Sequence, residues 1–255
     1  MSLPLDVVKL EVRFPLPDGR ALVQGPLSYN QDGLATQHSA DFVREPRFAA
    51  AYAVGLENAR PGVQVEWRVH VALWCAELGA RLDGDFVECG VHTGILSGAA
   101  MAWLDFARLA SRRFFLFDTW AGIPEEQMSA EEKRLGVPAM NRKYADGDAT
   151  FAAVQRKFAR WPNARVVRGR VPESLAAMAD ARSIAYLSID MNVAAAEMAA
   201  IEQLWPRMAR GAPLLLDDYG WAAHVNQKRA WDDWARRAGV MILALPTGQG
   251  LVLKP

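Results

Sequence analysis

The sequence predicts an α/β fold: a doubly wound, mostly parallel sheet of seven strands with an antiparallel last strand, preceded by an N-terminal extension. From Phe86 onward, short apolar runs alternate with helix-patterned segments, the arrangement of a parallel sheet covered on both faces. Polar residues gather where those strands end, and four of the first five strands close on a carboxylate within a residue or two, more than a plain core requires. The 255 residues, about half apolar and under a quarter charged, suffice to bury a full core.

The first sixty residues read as the extension, and residues 61–255 as the main domain. Val7 to Phe14 and Arg20 to Val23 alternate around Pro15-Leu-Pro-Asp-Gly19 and predict a small hairpin. Tyr29 to Asp41, with His38, is polar and without period, so an irregular segment is expected, suited to a lid, a dimer contact or a plain surface arm. A helix-like run follows from Arg47 to Leu56. Between Val63 and Ala80, Val65, Val69, Leu73 and Ala76 recur at helical spacing, with Glu66, Arg68 and Glu77 elsewhere on the cylinder. Glu66 and His70 stand one turn apart and could pair, but a satisfied structural histidine is the favoured account.

Gly79 and the Leu82-Asp-Gly84 turn feed the first strand of the sheet, Phe86 to Cys89, whose helix runs from Ser97 to Ala110. Phe114 to Phe117 is the second strand. Glu126 to Gly147 is charged and loop-like with room for a short helix, and Thr150 to Trp161 is a helix for which Asp148 is the expected N-cap. Ala164 to Arg168 and Ile184 to Ile189 are the third and fourth strands, with a short helix at Glu173 to Ala179 between them. Ala194 to Met208 is amphipathic, with Met198, Ile201, Trp205 and Met208 on one stripe. Pro213 to Leu216 is the fifth strand, Asn226 to Ala238 the last helix, and Val240 to Leu245 with Gly250 to Leu253 an antiparallel closing pair.

Composition narrows the function. Lys plus Arg and Asp plus Glu number 29 each, so no field of one sign argues for nucleic acid or an anionic membrane as partner. No window approaches the run of about 18 apolar residues a membrane helix needs, and Met1-Ser-Leu-Pro-Leu-Asp6 lacks a basic start and apolar core, so a cytoplasmic location is expected. Cys75 and Cys89 have no metal-ligand spacing and read as buried thiols.

In such sheets ligands bind at the carboxyl ends of the strands, near the point where strand order reverses. The residues placed there are Glu88 with Gly90, Asp118, Gly169 with Arg170, Asp190, and Asp217 with Asp218. Any one acid could instead cap the helix that follows it. A dinucleotide turn would read Gly-x-Gly-x-x-Gly with an acid about 20 residues on. Here Gly90 and Gly94 enclose Val, His and Thr, and the acid comes later, at Asp118. That wider turn lets backbone and Thr93 approach an amino acid moiety while Asp118 accepts from a ribose diol, which describes S-adenosylmethionine. Trp120 could cover the adenine, Trp221 could shape a substrate pocket, and both are as easily core residues. Arg170 lies where adenine contacts fall, or is simply exposed.

Val87-Glu-Cys-Gly-Val-His-Thr-Gly94, Phe117-Asp-Thr-Trp-Ala-Gly-Ile-Pro124, Leu187-Ser-Ile-Asp190, Leu204-Trp-Pro with Gly211, and Leu215-Leu-Asp-Asp-Tyr219 together resemble the macrocin O-methyltransferase family of class I S-adenosylmethionine-dependent methyltransferases. The resemblance covers about two-thirds of the chain, from Gly84 onward, and implies a Rossmann-like sheet. It implies S-adenosylmethionine held by Glu88, Gly90, Thr93, Gly94, Asp118, Trp120, Arg170 and Asp190. It also implies Mg²⁺ on Asp190, Asp217 and Asp218, hard oxygen ligands that would lower the pKa of an acceptor hydroxyl.

The departures from the family pattern concern catalysis. Where the family reads Asp-Gly-Asp-x-Tyr, this chain has Asp190-Met-Asn-Val-Ala, and the family's His-Glu pair after the second strand is absent from Asn141-Arg-Lys-Tyr-Ala-Asp146. The best-placed base is therefore His224, beyond the acid pair, with a solvent-facing helix-start residue as its alternative; His92 is next, or else orders the cofactor turn or touches the cofactor carboxylate, and Asp218 could itself take the proton. The reading that follows is O-methylation of a small, sugar-bearing acceptor, as in natural product or saccharide modification, by a chain able to form a homo-oligomer. The competing readings are a protein that binds S-adenosylmethionine without turnover and a nucleotide-dependent enzyme of another class.

Overall fold

In this computed structural model, which describes residues 12–15, 21–24, 27–144, 147–181 and 183–255, strand–helix alternation produces the expected seven-stranded sheet. Before it, β1 (Val12–Pro15) and β2 (Ala21–Gln24) form the first hairpin; residues 16–20, which hold all but Pro15 of the expected turn, and the earlier residues 7–11 lie outside the described residues. The segment expected to be irregular contains a second hairpin, β3 (Tyr29–Gln31) with β4 (Leu34–Thr36). The reason is the Asp32-Gly33 pair, at φ 52° and 74°. Two successive positive φ angles make the turn whose twist matches that of antiparallel strands, and Asp-Gly adopts it readily.

Helix α1 (Pro46–Leu56) begins on proline, whose missing N–H costs nothing at a helix start. In α2 (Glu66–Ala80) the predicted residues Val69, Leu73 and Ala76 are buried. Glu66 is buried as well, accepting the Tyr29 hydroxyl at 2.9 Å, while His70 stacks on Phe42, so Glu66 and His70 take separate partners. Phe48 and Ala51 of α1 share one core with α2, so the last helix of the expected extension is packed into the main domain.

The sheet is built from β5 (Asp85–Cys89), β6 (Phe114–Asp118), β7 (Ala164–Arg168), β8 (Ile184–Ile189), β9 (Pro213–Leu216), β10 (Leu243–Ala244) and β11 (Gly250–Leu253). Their order is β10-β11-β9-β8-β5-β6-β7, with β11 antiparallel to both neighbours. The chain winds outward from β5 to β7, then returns to β8 on the other side of β5, so the switch point lies between β5 and β8. Helices α3 (Ile95–Trp103), α6 (Gly147–Phe158), α7 (Ala194–Leu204) and α8 (Val225–Ala238) complete the layers, with one apolar core on each face of the sheet.

Two local expectations are corrected and one, the short helix allowed after β6, is made specific. Helix α3 ends at Trp103 rather than Ala110, giving way to a turn of 3₁₀ helix at 106–108. The charged stretch after β6 holds α4 (Ala130–Arg134) and α5 (Val137–Met140), because Ser129 and Glu132 form a reciprocal capping box that starts α4. Asp148 lies inside the first turn of α6, not at its cap, and pairs with Arg168 at 2.7 Å. Cys75 and Cys89 are buried free thiols, and among the described residues no helix is long and apolar enough to cross a membrane.

Candidate active site

Parallel pairing of Ile189 with Leu216 sets the ends of β8 and β9 side by side, so the residues that follow converge. Asp190, Asp217 and Asp218 each present a carboxylate oxygen within 4.8 Å of the others. Burial pushes the Asp190 carboxyl well up, and Asp217 and Asp218 push it further; Asp218 is raised by burial and by Asp217. Three such acids call for a cation.

Arg68, from α2, supplies one within the chain. Its Nη1 donates to Asp217 Oδ2 and, at 3.4 Å, to Asp218 Oδ1, while Nε donates to Asp32 Oδ2 at 2.6 Å. Burial opposes the guanidinium charge, yet Asp217, Asp218 and Asp32 together hold it more firmly than in water. Gln249 completes Asp217 with a hydrogen bond to Oδ1 at 2.9 Å, and Asn192 donates to Asp190 Oδ1 at 3.2 Å.

His224 stands with Nε2 3.7 Å from Asp218 Oδ2, and its Nδ1 meets Gln227 Oε1. The Gln227 amide nitrogen donates to Glu197 at 2.8 Å, and Glu197 also accepts from Trp231 Nε1 at 2.7 Å. Burial pushes Glu197 up to about 7 while its donors pull it back. With the amide nitrogen committed to Glu197, the amide oxygen faces His224. This network assigns the ring hydrogen to Nδ1 and leaves the Nε2 lone pair on the Asp218 side.

Beside the acids runs a cleft lined by Gly90, His92, Asp118, Trp120, Tyr144 and Asp190, among others. Asp118 has a second task in its turn: Oδ2 accepts from Val91 N at 2.9 Å and His92 N at 2.7 Å, and Oδ1 from Trp120 N at 2.7 Å. Three of about four lone-pair positions are thus spent on backbone, leaving roughly one for a ribose hydroxyl. Trp120 is buried, with Nε1 on the His92 carbonyl at 2.8 Å. His92 sits at φ 47° with its ring edge-on to Tyr144; burial lowers its pKa, so the imidazole is neutral. Burial and the neighbouring Asp190, Asp118 and Asp218 push the Tyr144 hydroxyl up to about 12, keeping it protonated.

Glu88, Thr93 and Gly94 lie beneath this turn rather than on the cleft wall. Gly94 has φ 73°, and Gly90, at φ 93°, is pressed against the Asp190 carbonyl where no Cβ fits. Lys157, buried, ties the layer together by donating to the carbonyls of Gly94 at 2.7 Å, Gly55 at 2.8 Å and Thr93 at 3.2 Å. Burial pushes Glu88 up to about 8, and its Oε2 is buried without a hydrogen-bond partner. Arg170 does not join the cleft; it is half exposed and paired with Glu126, and Gly169 lines the wall instead.

The residues present fit both expected groups. Three converging carboxylates are a hard-oxygen donor set of the kind Mg²⁺ takes. The turn at Gly90 and the cleft lined by His92, Asp118 and Trp120 fit S-adenosylmethionine. Sequence reading missed Asp32, Arg68, Tyr144, Asn192, Glu197, Gln227 and Gln249. Of these only Asp32 carried a usable signal, the Asp-Gly hairpin dipeptide.

The comparisons bear on the fold and the family. Residues 76–242 match the family described as Macrocin-O-methyltransferase (TylF). No curated protein matches the sequence. The solved structure of the O-methyltransferase NovP is similar at 20% identity, with TM-score 0.63, over 73% of this chain and 79% of that one. The apo structure of CalS11, titled a TDP-rhamnose 3'-O-methyltransferase of calicheamicin biosynthesis, is similar at 16% identity and TM-score 0.51, over 85% and 95%. A putative caffeoyl-CoA O-methyltransferase from Staphylococcus aureus is similar at 11% identity and TM-score 0.52, over 84% and 95%. These three share the fold, and the family match covers most of the sheet and the acid cluster. The chain belongs to the macrocin O-methyltransferase family and is an S-adenosylmethionine-dependent O-methyltransferase.

Proposed function

We propose that the chain methylates a hydroxyl of a small, sugar-bearing acceptor with assistance from Mg²⁺ at Asp190, Asp217 and Asp218. The observation that carries the reading is the convergence of three carboxylate oxygens within 4.8 Å beside His224. Bound there, Mg²⁺ would draw the acceptor hydroxyl toward ionisation and hold it in place.

Bound S-adenosylmethionine would supply the methyl group, leaving the carbon–sulfur electron pair on sulfur, and His224 Nε2 is placed to take the proton that the acceptor hydroxyl gives up. The resulting imidazolium is stabilised by Asp218 on one side and by the Gln227 oxygen on the other. Trp120 and Tyr144 wall the cofactor side, and Asp118 holds the turn that receives the amino acid end. Residues 27–40 act as a cover over the acceptor side, with Asp32 reaching the acid cluster through Arg68 and Gly33 backed by Trp221. A saccharide acceptor is supported by the family and by the sugar-nucleotide substrate named for CalS11.

The test is calorimetric titration with S-adenosylmethionine, its demethylated product and NAD, each with and without Mg²⁺, followed by a panel of sugars, phenols and catechols. Heat with the first two ligands, none with NAD, and Mg²⁺-dependent turnover of a sugar hydroxyl are expected. Cofactor binding without turnover of any acceptor would leave a binding protein.

A further inference from the structure

A cation already sits at the acid cluster, and it belongs to the chain. Arg68 and a divalent ion would need the same atoms: Asp217 Oδ2 and Asp218 Oδ1 both accept from Arg68 Nη1. The two positive groups also repel at that range. Arg68, however, has a second holder. Nε donates to Asp32 Oδ2 at 2.6 Å and Nη2 to Asp32 Oδ1 at 3.5 Å, a two-pronged pairing that uses the opposite edge of the guanidinium. Its plane rests near the ring of Trp221, 4.9 Å from the centroid, and the same ring backs Gly33 beside Asp32. Arg68 is therefore placed to release the acids without leaving either its aromatic shelf or its other carboxylate. Both Asp32 and Arg68 precede the segment matched to the family, residues 76–242.

We propose that Arg68 is a resident counter-ion which a divalent cation must displace from Asp217 and Asp218, and that Asp32, on the β3–β4 turn, is the position to which it withdraws. The pair acts as a positioning device that sets metal affinity. The inference rests on the metal reading made above, and its test separates the two.

Mn²⁺ titration, followed by electron paramagnetic resonance and calorimetry in the absence of acceptor, is run on the wild type, R68Q, D32N and D217N, each first checked for cooperative unfolding. R68Q should bind Mn²⁺ about tenfold or more tightly, within the ordinary range of coupling between sites. D32N should bind it several-fold more weakly, because Arg68 then has only the acids to lean on. Opposite signs are what a merely structural role would not produce, since loss of packing would weaken binding in both. If D217N abolishes binding but R68Q binds no more tightly than the wild type, the counter-ion proposal is overturned and the metal site stands. If no variant, R68Q included, binds Mn²⁺, both fall. Should R68Q fail to fold, the sign of the D32N change decides: unchanged or tighter binding overturns the proposal.

Discussion

Gln227 donates its amide hydrogen to Glu197 at 2.8 Å, and this bond between α8 and α7 decides which ring nitrogen of His224 carries hydrogen. Removing the base itself, by His224→Ala, should lower kcat by roughly 10²- to 10⁴-fold, the usual contribution of a general base. Gln227→Leu should cost less, about tenfold to a hundredfold, because the ring remains but its orientation is lost. KM for S-adenosylmethionine should not move in either variant, and steady-state kinetics with saturating acceptor checks the split.

The acid cluster makes a prediction about pH. Asp190 holds its proton more tightly in the fold than in the unfolded chain, through burial and then Asp217 and Asp218. A raised folded pKa means the folded state binds more protons, so its stabilising share is full below the unfolded value and is lost as pH rises through the folded one. Asp190→Asn removes that loss. The metal-free variant should therefore be more stable than the wild type at about pH 7 and indistinguishable from it below about pH 4, near the ordinary aspartate value. Urea melts at the two pH values measure this, and loss of Mn²⁺ binding should accompany it.

Asp118 predicts a coupled loss of stability and cofactor affinity. Its carboxylate accepts three backbone N–H groups of the turn that must receive the cofactor. Asp118→Asn leaves one oxygen and no charge, costing about 2–3 kcal/mol if one or two charge-assisted bonds fail. Denaturant melts should show that loss, and titration with S-adenosylmethionine should show weakened binding beyond any effect of the ribose contact.

Gly94 tests the turn from beneath. Its φ of 73° disfavours any side chain, and an added Cβ would meet the Phe158 ring at 2.5 Å. Gly94→Ala should destabilise by about 2–4 kcal/mol, backbone strain and overpacking together. Adding Phe158→Leu makes room but leaves the backbone strained, so it should recover only part of the loss in a thermal melt.

Much of this was legible before folding. The succession of strands and helices follows from apolar runs separated by helix patterns, and the acids at Asp190, Asp217 and Asp218 are visible because each ends such a run. The β3–β4 hairpin was overlooked although Asp32-Gly33 announces it, because three-residue strands carry too few residues to show alternation. Arg170 was placed in the site by its position after β7, yet Glu126 draws it outward, a partner 44 positions away that no local pattern reveals.

By itself the sequence determined the strand-end acids, the glycine turn and the cofactor class, since each depends on residues adjacent along the chain. Only the tertiary structure decided which charges answer one another. Arg68 and Asp217 are 149 positions apart, and Gln227 and Glu197 are 30. Burial makes an unpaired charge costly, so every acid in the cluster takes whatever partner packing brings within reach. That choice belongs to the fold as a whole, and it made Arg68 and Asp32, 36 positions apart, part of one site with the acids.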